Sequence, residues 1–205
     1  MAIVLLIRHG ENDYVKKGRL AGRLQGIHLN EKGHCQARLV AEKLCSAPIK
    51  AVYSSPLERA VETAEPLARG LGLEVIIRQG LVETDYGDWQ EKTVKGLSRL
   101  KLWRIVQSRP SLFRFPNGES FAEAQQRICQ EIQALSAQHD PKDMIACFSH
   151  ADPIKLAVAY FLGLPLDFFQ RLAISPASVT ALHIGEASSQ LITMNYDYMF
   201  TLSTP

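Results

Sequence analysis

The chain has 205 residues, of which 46% are hydrophobic and 21% are charged, a balance typical of a globular protein and not of a disordered or fibrous one. A formal net charge of +2 is too small to indicate a nucleic-acid or anionic-membrane partner. The four cysteines form neither a C-x-x-C pair nor a dense disulfide framework, so we expect reduced thiols, one domain over 1–205 and a cytoplasmic location.

No segment of the sequence has the properties of a membrane span or a signal peptide. The apolar opening lacks a basic leader and reaches Arg8 within a few residues. The most apolar later stretch, 157–166, is short and contains Gly163 and Pro165. We therefore expect no membrane association.

The first half of the chain alternates predicted strands with predicted helices. Residues 3–7 form a continuous run of Ile, Val and Leu, typical of a strand buried on both faces of a parallel sheet. Asn30 is a candidate cap for a helix to about Cys45. A strand over 51–54 follows, then Ser55-Pro56-Leu57-Glu58 as a capping box for a helix to about Leu71. A third strand is predicted over 73–77.

The second half continues the alternation, which predicts an α/β fold of three layers with helices on both faces of a mostly parallel central sheet. The predicted elements, in chain order, are a loop over 83–89, a helix around 93–106, an irregular excursion over 109–118, a helix capped by Ser120 to about 137, a strand over 144–148, a helix that Asp152-Pro153 caps and starts and that ends near Gly163, and strands over 179–184 and 190–194 around a Gly-Glu-Ala-Ser-Ser turn.

Polar side chains follow the predicted strands at their carboxyl ends, where open α/β sheets bind ligands. Arg8 and His9 end the first strand, and Arg59 follows the second. Glu83 ends the third region, and His150 ends the strand over 144–148. We expect these four segments to converge on one crevice.

Arg59 is informative because a cation in the first turn of a helix opposes the helix dipole. An anionic ligand would reverse that effect, whereas pairing with Glu58 or Glu62 on a solvated face is the simpler alternative. The presence of Arg8 favours the explanation by an anionic ligand, because an unpaired arginine at the end of a buried strand would be costly without an anion.

These residue types together suit phosphoryl transfer. A histidine attacks phosphorus through a neutral ring nitrogen while its other nitrogen is held as a donor, and His9 is the candidate. The charge on the phosphoryl oxygens must be met by fixed donors, for which Arg8, Arg59 and His150 are the candidates. We therefore expect a phosphoenzyme formed on a histidine.

The leaving alkoxide then needs a proton, which a partly buried carboxyl group can deliver before it activates water. We assign Glu83 to both roles, with Asp85, Asp88 and Glu11 as rivals that spacing alone does not exclude. The scheme needs no metal or cofactor, and the sequence has neither H-E-x-x-H nor a Cys/His cluster.

Other histidines and aromatic residues are given no role in the chemistry. Four histidines are more simply surface or strand residues: His28, His34, His139 and His183. The aromatic set is interpreted as core or lid packing, with substrate contact by some members left open: Trp89, Trp103, Phe113, Phe115 and Phe121.

Four motifs, in this order along the chain, resemble those of the histidine phosphatase superfamily, also called phosphoglycerate-mutase-like. They are Arg8-His9-Gly10-Glu11, Ser54-Ser55-Pro56-Leu57-x-Arg59-Ala60-x-x-Thr63-Ala64, Glu83 ahead of Tyr86-Gly87-Asp88-Trp89, and Ser149-His150. The resemblance implies a phosphohistidine on His9, a phosphate pocket of Arg8, Arg59 and His150, and Glu83 as proton donor.

The resemblance also indicates substrate contacts and two departures. Arg19-Leu20-Ala21-Gly22 is similar to the family's Arg-Phe-x-Gly segment near the pocket mouth, which makes Arg19, Gly22 and Arg23 candidates. Val15 stands where many members have an asparagine, for which Asn12 is the candidate substitute. Ala151-Asp152 follows His150 where many relatives have glycine, and for Asp152 a role as a helix cap is the alternative to a role as a ligand.

Three functions fit these residues. The leading one is a phosphomonoesterase that takes a small phosphate ester and releases inorganic phosphate, because the segment between Glu83 and Ser120 is short and Tyr86-Gly87-Asp88-Trp89 is similar to the phosphatase branch. A phosphoglycerate-mutase-type phosphomutase is the alternative, disfavoured by Thr84-Asp85 after Glu83 where many mutases have Arg-His. A non-catalytic phosphate-binding module is the third. The sequence indicates neither the substrate nor the oligomeric state.

Overall fold

The computed structural model describes residues 2–185 and 188–199. Its centre is a sheet of six strands in the order β3-β2-β4-β1-β5-β6. The pairings β1–β4, β4–β2 and β2–β3 are parallel, and β1–β5 and β5–β6 are antiparallel. The strands are β1 Ile3–Arg8, β2 Ile49–Ser54, β3 Val75–Ile77, β4 Met144–Ser149, β5 Val179–Ile184 and β6 Ser189–Tyr196.

Seven α-helices connect these strands within the described residues, together with short 3-10 turns. They are α1 Asp13–Lys16, α2 Glu31–Leu44, α3 Glu58–Leu71, α4 Val94–Leu97, α5 Lys101–Ser108, α6 Phe121–Ser136 and α7 Ala151–Phe161. In this part of the chain, none of the helices combines the length and apolarity that crossing a bilayer requires.

The sheet lies between two helical layers, which confirms the predicted fold class. Val4 and Leu6 of β1 pack in a core with residues of α6 and α7 on one face. Leu5 and Ile7, which point the other way, pack with residues of α2 and α3. Because strand side chains alternate between the two faces and both faces are covered by helices, residues 3–7 of β1 are all apolar, as the absence of alternation predicts.

The parallel register brings the carboxyl ends of three strands to one edge of the sheet. Arg8 of β1 lies opposite Ser149 of β4, and Ser54 of β2 lies opposite Phe148. The residues that continue from these ends therefore start side by side. This edge is where His9 and His150 lie.

The predicted capping box at the start of α3 is wrong. Leu57 is the N-cap, it makes no side-chain cap hydrogen bond, and Glu58 is the first helical residue, so Pro56 lies before the helix. The Ser55 hydroxyl instead lies 2.8 Å from Nε2 of His150. A tertiary partner has replaced the local one.

The predicted cap of α7 is also wrong. His150 is its N-cap and Asp152 lies inside the first turn. The Asp152 carboxylate accepts hydrogen bonds from the Tyr86 hydroxyl at 2.9 Å and from Lys155 Nζ at 3.3 Å. Asp152 is therefore tied to other side chains and not to the helix terminus.

Several element boundaries differ from the sequence prediction. The helix expected around 93–106 is two helices, because Leu100 has an extended backbone (φ −78°, ψ 144°) that separates α4 from α5. Strand β3 begins at Val75, and β6 continues to Tyr196. Within the expected turn before β6, Glu186 and Ala187 lie outside the described residues.

The loop after β1 packs backbone to backbone against the start of α2. A Cβ added to Gly33 would overlap the carbonyl oxygen of Glu11. Because backbone atoms cannot turn away as a side chain does, we expect Gly33→Ala to displace the loop beside His9 and destabilise the fold by about 1–3 kcal/mol. Denaturant unfolding measures this change. As a matched control, Gly70→Ala in α3 meets nothing within 4 Å, and a midpoint lowered equally by both would contradict the explanation.

Candidate active site

A cavity of about 380 Å³ opens at the carboxyl edge of the sheet. Four of the five residues predicted to carry the chemistry lie on its wall: Arg8, His9, Arg59 and Glu83. His150 lies immediately behind this wall, fully buried, with its ring centroid 5.2 Å from that of His9. The five side chains come from four separate segments of the chain.

His9 is held as a neutral ring with a defined tautomer. Its Nδ1 lies 2.7 Å from the carbonyl oxygen of Gly10, and because a carbonyl only accepts hydrogen bonds, Nδ1 carries the proton. Nε2 therefore has a free lone pair. Burial, followed by the positive charges of Arg59 and Arg8, holds the pKa of His9 well below its usual value of 6.5. The ring is thus uncharged and nucleophilic at neutral pH.

The Arg59 guanidinium is buried and only partly hydrogen-bonded. The residue is 1% exposed, and Nη2 donates to the Gly22 carbonyl at 2.8 Å. Nε and Nη1 have no partner among residues 2–185 and 188–199. Glu58 and Glu62 instead accept from the backbone N–H groups of Gly26 and Leu29. The surface ion-pair alternative for Arg59 is therefore wrong, and the N–H groups of two of its nitrogen atoms are free for an anion.

The Arg8 guanidinium is also only partly hydrogen-bonded. Its Nη1 donates to the carbonyl of Ile174 at 2.6 Å, and its Nε has no partner in the described part of the chain. Burial lowers the pKa of Arg8 and of Arg59 from 12.5. An arginine remains protonated under such conditions, so the cavity wall carries two unneutralised guanidinium groups.

Glu83 is a buried carboxyl group whose pKa is raised to about 7. Burial is the main cause and the charge of Asp152 the second, while Arg59 opposes both. Its Oε1 accepts from the Thr84 N–H at 2.9 Å, and its Oε2 lies 4.0 Å from Nδ1 of His150. A carboxyl group that titrates near 7 can act as both acid and base.

The rival carboxylates are held elsewhere. Asp85 accepts from the Gly87 N–H, Asp88 accepts from the Asn117 amide, and Glu11 is bound by Asn30 and Lys32. Of these four carboxylates, Glu83 is the one on the cavity wall.

The backbone of Glu83 is held by a network that the sequence analysis missed. Nε of Arg23 donates to the Glu83 carbonyl at 2.9 Å, and Arg127 donates to the Val82 carbonyl at 2.8 Å. Glu119 bridges the two guanidinium groups, at 2.7 Å from Arg23 and 2.8 Å from Arg127. Because Glu83 lies outside regular secondary structure, these side chains fix its position. No local sequence pattern indicates such a network.

The expected substrate contacts fall into two groups. Asn12 and Arg19 lie on the cavity wall. Oδ1 of Asn12 caps α1 through the Val15 N–H at 2.9 Å, which leaves Nδ2 buried with no partner among the described residues. Gly22 and Arg23 lie behind the wall, where they support Arg59 and Glu83. Substrate contact by Gly22 and Arg23 stays a prediction.

The mouth of the cavity adds residues to which the sequence analysis gave no substrate-binding role. Tyr86, Asp152, Lys155 and Gln107 are also on the cavity wall. Trp103 is also on the wall, although the other aromatic residues expected to pack together are in the core. Asp152 had a signal in the sequence, because Ala151-Asp152 departs from the glycine of many relatives.

The chain is similar in sequence to a phosphatase and to a mutase. The chain is 28% identical over 197 residues to phosphoserine phosphatase 1 of Hydrogenobacter thermophilus, covering 95% of this chain and 92% of that protein. It is 29% identical over 188 residues to the 2,3-bisphosphoglycerate-dependent phosphoglycerate mutase of Thermoplasma acidophilum, covering 90% and 88%.

Solved structures give the same result. A mycobacterial glucosyl-3-phosphoglycerate phosphatase in complex with VO3 superposes with a TM-score of 0.87 at 28% identity, over 96% of this chain and 100% of its own. A phosphoserine phosphatase of Entamoeba histolytica in complex with 3-phosphoglyceric acid gives 0.87 at 26% identity, over 97% and 98%. The model of the histidine phosphatase superfamily, branch 1, matches residues 4–197, and the chain belongs to that family.

Proposed function

We propose that this protein is a phosphomonoesterase that hydrolyses a small phosphate ester through a phosphohistidine on His9. One observation carries the proposal: the neutral His9 ring, the free N–H groups of Arg8 and Arg59, and the Glu83 carboxyl group surround one small cavity. Relatives that are named phosphatases support hydrolysis.

In the first step, the lone pair on Nε2 of His9 attacks phosphorus and the bond from phosphorus to the ester oxygen breaks. Arg8 and Arg59 donate to the phosphoryl oxygens, whose charge is spread over three atoms in the transition state. His150, behind the wall, and Asn12 through its free Nδ2 complete the set of donors. The protonated Glu83 gives its proton to the departing alkoxide.

In the second step, the phosphohistidine is hydrolysed. The Glu83 carboxylate takes a proton from water, the water oxygen attacks phosphorus, and the bond between nitrogen and phosphorus breaks. Inorganic phosphate leaves, while His9 is again neutral and Glu83 again protonated. A pKa of about 7 suits both steps, because one group must donate and accept a proton at the same pH.

A mutase is the alternative, supported by the phosphoglycerate mutase of Thermoplasma acidophilum. It would share the first step and return the phosphoryl group to an acceptor hydroxyl. The difference is therefore in the competition between water and a second hydroxyl for the phosphoenzyme.

A panel of phosphate esters tests the proposal, scored by release of inorganic phosphate from the purified protein. We expect turnover of at least one small ester, with phosphoserine, 3-phosphoglycerate and glucosyl-3-phosphoglycerate included because relatives bear those names. Interconversion of phosphoglycerates, with and without a bisphosphate primer, would favour the mutase if it exceeded phosphate release. No turnover of any ester would contradict both enzymes and favour a non-catalytic phosphate-binding module.

A further inference from the structure

Two buried polar side chains meet at the Nε2 side of His150. Ser55 and His150 are both 0% exposed, and the Ser55 Oγ lies 2.8 Å from Nε2 of His150. The two residues follow the neighbouring parallel strands β2 and β4, and the Ser55 N–H donates to the Phe148 carbonyl at 2.9 Å. The backbone therefore sets their distance.

The hydrogen-bond capacity of Ser55 decides which way this bond runs. A serine hydroxyl has one proton and two lone pairs. The Leu57 N–H points at Oγ, at 3.4 Å, so Oγ already accepts. Among the described residues, Nε2 of His150 is the one acceptor within reach of the hydroxyl proton. If Nε2 carried the ring proton, the Ser55 proton would be buried without an acceptor, at a cost of about 1–3 kcal/mol.

The opposite ring nitrogen shows why the direction matters. Nδ1 of His150 has no partner within residues 2–185 and 188–199, and it lies 4.0 Å from Oε2 of Glu83. In a neutral ring, a proton on Nδ1 makes that atom a donor toward a phosphoryl oxygen. If Nε2 carried the proton instead, Nδ1 would have a lone pair, which repels an anion.

We propose that Ser55 is a positioning residue that donates its hydroxyl proton to Nε2 of His150 and so keeps the ring proton on Nδ1. This inference rests on the proposed function, because a donor at Nδ1 serves a phosphoryl group. Burial first, and then the charge of Arg59, keeps the pKa of His150 well below 6.5. The ring is therefore neutral, and its single proton lies on either Nδ1 or Nε2. Ser55 acts through His150 and does not touch the substrate.

Nitrogen-15 NMR of the resting protein measures the tautomer directly, since protonated and unprotonated ring nitrogens have distinct shifts. We expect His150, assigned by loss of its signals in His150→Gln, to show a protonated Nδ1 and an unprotonated Nε2. In Ser55→Ala, the shifts should move toward the other tautomer, and Ser55→Thr should restore them. A wild-type His150 with its proton on Nε2 would overturn the proposal, whatever the variants do.

Kinetics supply the second measurement. We expect Ser55→Ala to lower kcat/KM and the affinity for orthovanadate by about ten- to hundredfold, the range for losing a partner that orients a histidine. Ser54→Ala is the matched control, because Ser54 is equally buried and its hydroxyl donates to the Ser55 carbonyl and not to His150. It should keep the tautomer.

Equal kinetic losses in the two alanine variants, with an unchanged His150 tautomer in both, would reduce Ser55 to a structural role. The NMR result needs no turnover, so it separates this inference from the proposed function. A wild-type protein with a protonated Nδ1 that releases no phosphate would contradict the function alone.

Discussion

Replacing His9 by alanine is expected to abolish phosphate release, by at least about 10⁴-fold in kcat, as loss of a nucleophile does in other enzymes. The reason is that no other lone pair replaces Nε2 of His9 in the chemistry: in the tautomer proposed above, Nδ1 of His150 carries the proton and its Nε2 is bonded to the Ser55 hydroxyl. Steady-state phosphate release measures the loss. Phosphate or orthovanadate should still bind, because Arg8 and Arg59 are retained.

A trapping experiment distinguishes loss of the nucleophile from loss of the fold. After rapid acid-free quenching with a radiolabelled ester, wild-type protein should carry label that is stable in alkali and lost in acid, as expected for a phosphohistidine. His9→Ala should carry none. His34→Ala, which removes an exposed histidine, should label and turn over like wild type. Label retained in His9→Ala would place the phosphoryl group on another residue.

The residues of the site were predictable where they follow strands of the parallel sheet. Arg8 ends β1, His9 follows it, and His150 follows β4. Predicting the two strands from their apolar runs is therefore enough to place these residues at one edge of the sheet. Arg59 was predictable because its charge opposes the dipole of α3. These inferences need only local sequence and the geometry of parallel strands.

Residues that act through distant partners were not predictable. The local sequence around Ser55 fits a capping box, yet the Ser55 hydroxyl is hydrogen-bonded to His150, which is 95 positions away in the sequence. Arg127 and Glu119 fix the backbone of Glu83 only because α6 packs beside that loop. The prediction that Asp152 caps α7 is wrong for the same reason, because its carboxylate accepts a hydrogen bond from the Tyr86 hydroxyl. Local propensity is a weak guide where a tertiary partner offers a better hydrogen bond.

Replacing Glu83 by glutamine is expected to lower kcat/KM for an alkyl phosphate by about 10²- to 10⁴-fold, the usual contribution of general acid catalysis. The p-nitrophenolate of a p-nitrophenyl ester leaves without protonation. For that ester, the substitution should therefore lower the rate of the first step much less. Comparing the two esters therefore tests the role and not merely the presence of the side chain. Asp88→Asn, which neutralises a carboxylate outside the cavity wall, should leave both rates unchanged.

The pH profile gives an independent check on the same variant. Formation of the phosphohistidine needs Glu83 protonated, so kcat/KM for an alkyl phosphate should fall as pH rises through about 7, the pKa of Glu83. In Glu83→Gln, that alkaline decrease should disappear, because the amide does not titrate. An unchanged decrease in the variant would assign it to another group.

At pH values above about 7, the same substitution should raise stability while it lowers activity. Folding lifts the pKa of Glu83 from 4.5 to about 7, so the folded protein holds this proton more tightly than the unfolded chain does. The associated stability is fully present below pH 4.5 and is lost as pH rises through 7, a change on the order of 3 kcal/mol. Glutamine carries no such linkage. The Tm of Glu83→Gln relative to wild type should therefore increase between pH 5 and pH 8, and a difference that stayed constant would mean that Glu83 ionises as easily in the fold as in water.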